Sequence, residues 1–193
     1  MSKDWPGAKL DRENDNFYDS FQYDIIEKIS PFIHKCNITP DQITLLSFLC
    51  GLLSVYFLKN KQYEYAAIFW LLNYFFDCMD GYIARKYQIF SKYGDYYDHI
   101  SDWTTYLLLL YVMFKDKNYK AIIIMAFFTL TLMFFVDCQE KIYNKKHESP
   151  TLDSNPLSGI CQNTENIKYA KWFSSGTFTL IIVLVILYYE KLK

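Results

Sequence analysis

Arginine is almost missing from this chain: Arg12 and Arg85 are the only two among 193 residues, and the formal net charge is −1. Without a basic surplus there is no electrostatic footprint for nucleic acid. The five cysteines (Cys36, Cys50, Cys78, Cys138, Cys161) show no C-x-x-C spacing and no histidine at zinc-ligand distance. Their odd number and the apolar surroundings of three of them predict small buried hydrophobes in a reducing setting, not a zinc site or a disulfide framework. No internal repeat is visible. The N-terminus is polar and acidic through Asn16, which argues against a cleaved signal peptide.

Apolar residues are abundant instead. Hydrophobic types make up 52% of the chain and aromatics 20%, which is high for a soluble domain. Five segments carry almost no charge: roughly residues 43–58, 63–83, 97–114, 121–136 and 173–188. A bilayer crossing takes about 20 helical residues, and these runs lack the polar stripe at 3.6 spacing of a soluble helix. Tyr63, Trp103, Trp172, Tyr188 and Tyr189 stand near their ends, as in interfacial aromatic belts. The expected fold is an all-α integral membrane protein with about five transmembrane helices and room for a sixth, short or re-entrant, between Pro150 and Ile167. Alternating crossings put thirteen Lys and Arg on the side of the N-terminus and Arg85, and seven on the other, so the Arg85 side is expected in the cytosol.

Phe17, Phe21, Ile25, Ile29 and Phe32 recur at helical spacing, with Asp19, Asp24, Glu27 and Lys28 on other faces. This predicts an amphipathic interfacial helix, broken near Pro31, within a cytosolic segment spanning residues 1–36. Thr39-Pro40-Asp41-Gln42 reads as a helix start, a capping box with proline at the first position. Thr44, Ser47, Gly51 and Ser54 form a small-residue stripe that lets another helix approach, with Thr44 a candidate for more than packing. Residues 141–171 read as a polar connection without chemistry.

Four aspartates carry the chemical signal. Asp77 and Asp80 stand three apart at the end of the second apolar run, and Asp98 and Asp102 stand four apart at the start of the third. Each spacing puts its pair on one helical face, and a short turn makes the two helices antiparallel neighbours. Asn73 and Ala84 extend the first face, Gly94 and Thr105 the second. Two like charges about 5 Å apart repel by about 3 kcal/mol at an effective dielectric of 20, so the cluster must protonate or bind cations. One aspartate at a helix end is ordinarily interfacial; four on converging faces, with Arg85, Gly81 and Gly94 between, are a functional site. All-oxygen ligands favour two Mg²⁺ or Mn²⁺ ions, a pairing suited to displacement at phosphorus. Arg85 offers a fork for a diphosphate, and the two glycines leave room for a ligand. His99 points off the Asp98 face and reads as packing or support. Asp95 reads as interfacial, and Asp137 and Glu140 as an ordinary helix end.

The pattern Asp77-x-x-Asp80-Gly81-x-x-Ala84-Arg85, then Gly94-x-x-x-Asp98-x-x-x-Asp102, resembles the signature of the CDP-alcohol phosphotransferase family, with every fixed position filled. The likeness implies a transmembrane catalytic domain over residues 37–193 that makes phospholipid, with attack of an acceptor alcohol on a CDP-linked donor and release of CMP. It implies that Asp77, Asp80, Asp98 and Asp102 hold two divalent ions and that Asp102 is the general base. Gly81, Arg85 and Ser91 would contact the CDP group, with Ala84 and Gly94 allowing close packing. Pro40-Asp41-Gln42-Ile43-Thr44 is similar to a shorter family segment, which brings Asp41 and Thr44 to the nucleotide site. The family usually carries one more span than the five counted here, and a homodimer is what it implies.

The acceptor stays open. Asp98-His99 followed by Asp102 is similar to the choline/ethanolamine phosphotransferase branch, which joins CDP-choline or CDP-ethanolamine to diacylglycerol; for a eukaryotic chain the endoplasmic reticulum or another endomembrane would follow. A phosphatidylinositol synthase-like enzyme using CDP-diacylglycerol and inositol is the alternative. A phosphorylated acceptor would need further cations; with Arg85 the only arginine of the membrane region that branch is disfavoured, although Lys86, Lys92 or Lys141 could serve. From other classes, a divalent-cation transporter would share the acidic cluster but not need Arg85 and the glycines. A UbiA-like prenyltransferase resembles longer chains.

Overall fold

The computed structural model describes residues 6–91, 93–147, 161 and 167–193, excluding the side chains of Asp95 and residues 143–147. Lys92 and nearly all of the stretch expected to hold a sixth span fall outside the described residues. Within them the chain is helical: α1 (Phe17–Lys35), α2 (Pro40–Lys59), α3 (Tyr63–Tyr87), α4 (Gly94–Lys115), α5 (Tyr119–His147), α6 (Ile167–Ala170), α7 (Ser175–Leu187) and α8 (Tyr189–Leu192). Three segments are long and apolar enough to cross a membrane: Pro40–Lys59, Tyr119–Ile142 and Ile167–Leu187. The helices α3 and α4 match them in length, but carry the aspartates. The protein is an all-α integral membrane protein.

The starts of α2 and α1 have a local cause. The Thr39 side chain accepts from the Gln42 amide, while Gln42 Oε1 accepts from the Thr39 amide at 3.0 Å, so the capping box forms with Pro40 in the first turn. Asn16 caps α1 by accepting from the Asp19 amide at 2.7 Å. That helix was expected to break near Pro31, but it runs on to Lys35. Proline removes the donor for the Glu27 carbonyl, and the Ser30 hydroxyl takes its place at 3.1 Å.

The small-residue stripe of α2 is where three helices meet. Ser47 Oγ donates to the Asn73 carbonyl at 2.8 Å, and Asn73 Nδ2 donates back to the Ser47 carbonyl at 3.1 Å. About two turns further on, Ser54 donates to the Ala66 carbonyl at 2.7 Å. A Cβ on Gly51 would lie 2.5 Å from Thr105 Cγ2 and 3.2 Å from Asn73 Nδ2. Gly51 therefore lets α4 close on the α2–α3 pair, and that closure sets the distance between the aspartates of α3 and α4.

Helix α1 lays Ile26 against Met79, Tyr82 and Ile83 of α3 and leaves Phe17, Phe21 and Phe32 exposed, as an interfacial helix does. It is pinned to α3 and α7 by one carboxylate. Asp19 accepts from Tyr74 at 2.7 Å and from Ser174 Oγ at 2.6 Å. Gly176 is required beside it, since a Cβ there would come 2.0 Å from Asp19 Oδ1. Burial first, then the closeness of the two carboxylates, pushes Asp15 above the usual carboxylate range; burial also raises Asp19.

The cysteine expectation is overturned at one pair. Cys138 of α5 and Cys161 form a disulfide across 23 residues, and both are buried. Asp137 accepts from the Cys161 amide at 2.6 Å, and Lys141 donates to its carbonyl at 2.6 Å. Two cysteines so separated in sequence become neighbours only when the chain returns to α5. The connection after Lys141, read from sequence as carrying no chemistry, thus supplies one half of a disulfide.

Two outcomes are expected. Thiol labelling of the denatured protein modifies Cys36, Cys50 and Cys78 before reduction and all five cysteines after it, read as a mass shift. An acid whose folded-state pKa lies above its unfolded value binds more protons when folded, so stability falls as pH rises from about 4 toward the raised native value. The thermal midpoint should decline over that range, and Asp15→Asn should flatten the decline.

Candidate active site

The last turns of α3 and the first turns of α4 deliver the acidic residues to one place. Carboxylate oxygens of Asp77, Asp98 and Asp102 lie within 4.8 Å of one another. Asp98 Oδ1 is buried without a hydrogen-bond partner, a condition that costs about 1–3 kcal/mol or more for a charged group. Three hard oxygen donors converging on one point, one of them unsatisfied, fit a divalent cation of the Mg²⁺ type. Asp80 is not in this group. It is buried on the neighbouring side of α3, where Thr44 Oγ1 of α2 donates to it at 2.5 Å. Thr44 is thus more than packing.

The remaining residues singled out from sequence fall into two small groups. Arg85 folds back along α3 so that Nη1 sits 2.9 Å from where a Gly81 Cβ would be, and Nε donates to the Gly7 carbonyl at 2.6 Å. Gly81 therefore makes room for the guanidinium itself. At the start of α4, a Cβ on Gly94 would lie 3.0 Å from Ser91 Oγ and 3.4 Å from Asp41 Oδ1, so the first turn of α2 and the loop before α4 meet over Gly94. Ala84 sits one turn beyond Asp80, its carbonyl accepting from the Ile89 amide at 3.0 Å as α3 ends.

A cavity of about 310 Å³ opens beside the three clustered aspartates. Its polar end includes Asp77, Asp98, Asp102 and His99; Trp70, Tyr106, Leu132, Phe178 and Ile182 line the rest. Sequence reasoning missed two residues here. Glu140, read as an ordinary helix end, is buried and lines the cavity, and Asp137 beside it is buried too. Lys9 also lines it, delivered by a segment that precedes every long helix. Burial first, then the Arg85 guanidinium, pushes its ammonium below the usual range, against the opposing pull of Glu140, Asp98 and Asp77. No periodicity marks Lys9, because its position depends on how residues 6–11 fold onto α3 and α5.

With the aspartates converged in this way, the family likeness can be set against the whole chain. Residues 37–192 match the CDP-alcohol phosphatidyltransferase family. The chain belongs to that family. Similar proteins include the inner membrane protein YnjF of Escherichia coli (strain K12), 34% identical over 89 residues, which is 42% of this chain and 43% of that protein. An archaetidylinositol phosphate synthase of Pyrococcus horikoshii is 32% identical over 77 residues, 40% of this chain and 41% of that one. A CDP-diacylglycerol–serine O-phosphatidyltransferase of Bacillus subtilis (strain 168) is 34% identical over 70 residues, 36% and 40% of the two chains. The matched part spans about two-fifths of each of these relatives.

For this member of the family, Mg²⁺ or Mn²⁺ is expected to raise the thermal midpoint in detergent. A metal at a hundred times its Kd would add about 2.7 kcal/mol. Asp98→Asn should abolish most of that rise, whereas Asp24→Asn on α1, whose carboxylate pairs with Arg12, should leave it intact.

Proposed function

We propose that the protein is an enzyme of phospholipid synthesis that transfers a substituted phosphate from a CDP-linked donor to an acceptor hydroxyl, releasing CMP. The observation that carries this reading is the convergence of Asp77, Asp98 and Asp102 within 4.8 Å at the polar end of an otherwise largely apolar cavity. Such a cavity suits a reaction between a water-soluble group and a lipid.

In this reaction Asp102 accepts the proton of the attacking hydroxyl. The acceptor oxygen bonds to the β-phosphorus as the anhydride bond breaks, and the electron pair leaves with CMP. Asp77, Asp80, Asp98 and Asp102 would hold two Mg²⁺ or Mn²⁺ ions, which supply positive charge against the diphosphate. Thr44 holds the Asp80 carboxylate in one orientation. Arg85 has Nε committed to Gly7 and keeps its two terminal nitrogens for the diphosphate, while Asp41, Ser91 and Gly94 border the nucleotide. The basic-residue count places this face in the cytosol; near-complete burial of Cys138 and Cys161 would shield their disulfide from cytosolic thiols.

Two donors divide the family. The Asp98-His99 and Asp102 likeness supports CDP-choline or CDP-ethanolamine acting on diacylglycerol. The name of the CDP-diacylglycerol–serine O-phosphatidyltransferase matched above supports a CDP-linked lipid as donor and a small polar alcohol as acceptor.

The test is CMP release by the purified protein with Mg²⁺, supplying CDP-choline, CDP-ethanolamine and CDP-diacylglycerol with matched acceptors. One donor should release CMP, and Asp102→Asn should lower the rate by about 10²–10⁴-fold, the range for loss of a general base. A folded protein that still responds to Mg²⁺ but releases CMP from no donor would replace this reading with cation transport.

A further inference from the structure

The segment carrying Lys9 is clamped on both sides. Gly7 lies against α3 so closely that a Cβ there would meet the Tyr82 carbonyl at 2.4 Å, and its own carbonyl takes the Arg85 Nε–H. Leu10, on the other side of Lys9, is buried with Phe135 and Cys138 of α5. Between these anchors Lys9 is held at the cavity wall. Its backbone cannot swing out without releasing Leu10 or Gly7.

An ammonium in that place has an unusual set of neighbours. It lies within electrostatic reach of Asp77, Asp98 and Glu140, yet no hydrogen bond or ion pair to another described residue satisfies it. A metal site gains nothing from a cation beside its ligands, because the ammonium competes with the ion for the same carboxylates. Its placement makes sense if a ligand brings a negative charge to it.

We propose that Lys9 is a specificity-determining residue that receives an anionic group on the acceptor alcohol. The inference rests on the transferase reading above and selects between its two donors. Diacylglycerol has no anionic group to offer, so the donor is the CDP-linked lipid and the acceptor is a small charged alcohol. A carboxylate and a phosphate share the chemistry Lys9 would recognise. Glu140 on the same wall favours the carboxylate of a hydroxy amino acid, whose ammonium it attracts, over a phosphate dianion, which it repels.

The experiment is steady-state CMP release from CDP-diacylglycerol with L-serine, glycerol 3-phosphate or myo-inositol, and from CDP-choline with diacylglycerol. Wild type and the variants Lys9→Met and Lys9→Arg are compared, each checked for a cooperative thermal transition and a Mg²⁺ response that is retained or strengthened. The expected result is turnover with serine or glycerol 3-phosphate, whichever is used identifying the anion. Lys9→Met should raise the acceptor KM at least tenfold and the donor KM less than twofold, and Lys9→Arg should restore most of the loss. Turnover confined to myo-inositol or diacylglycerol, or a Lys9→Met acceptor KM within twofold of wild type, overturns the assignment to Lys9 while leaving the transferase reading intact. Absence of CMP from every pair overturns both.

Discussion

Carboxylate oxygens of Asp77, Asp98 and Asp102, gathered within 4.8 Å, repel one another by about 3 kcal/mol per pair at an effective dielectric of 20. Most of the packing around them can be understood as the means of holding that arrangement against its own repulsion. Helices α3 and α4 would separate if only the aspartates decided their spacing. They are held by α2, whose Ser47 and Ser54 hydroxyls bond to α3 carbonyls and whose Gly51 admits Thr105 of α4. In a bilayer, close backbone approach and interhelical hydrogen bonds hold helices together, since lipid tails are as apolar as leucine. The stripe of small residues and the acidic cluster are therefore parts of one device.

The same logic extends outward through buried polar residues. Asp80 is fixed by Thr44, and Asp19 joins Tyr74 of α3 to Ser174 before α7. Each acceptor is supplied with donors from a different helix, so each pins a relative position that apolar contacts alone would leave free to slide. Asp19 is costly to bury. Its hydrogen bonds from two helices, with Gly176 leaving the space, tie the interfacial helix α1 to the bundle.

The cavity has a mixed polar and apolar lining. Its aspartates lie where α3 ends and α4 begins, at the level expected of a polar headgroup, while Phe178 and Ile182 of α7 line its other walls. A lipid-linked substrate can keep its chains among the apolar walls and present a diphosphate to the polar end. The N-terminal segment brings Lys9 to the cavity lining, so a residue ahead of α2 shares in it.

Much of this was legible in the amino-acid order. Bilayer-length apolar runs, the capping box at Thr39, the small residues of α2 and the spacing of the four aspartates are properties of single helices, and helical period converts spacing into a shared face without any knowledge of partners. What the sequence could not decide were meetings between distant segments. Pro31 continued its helix because Ser30 supplied a donor. Asp80 took a hydrogen bond from Thr44 of α2. Cys138 found Cys161, and Lys9 and Glu140, far apart in sequence, came to line one cavity. Each of these depends on the position of a second element in space, and residue spacing along one chain carries no information about that distance.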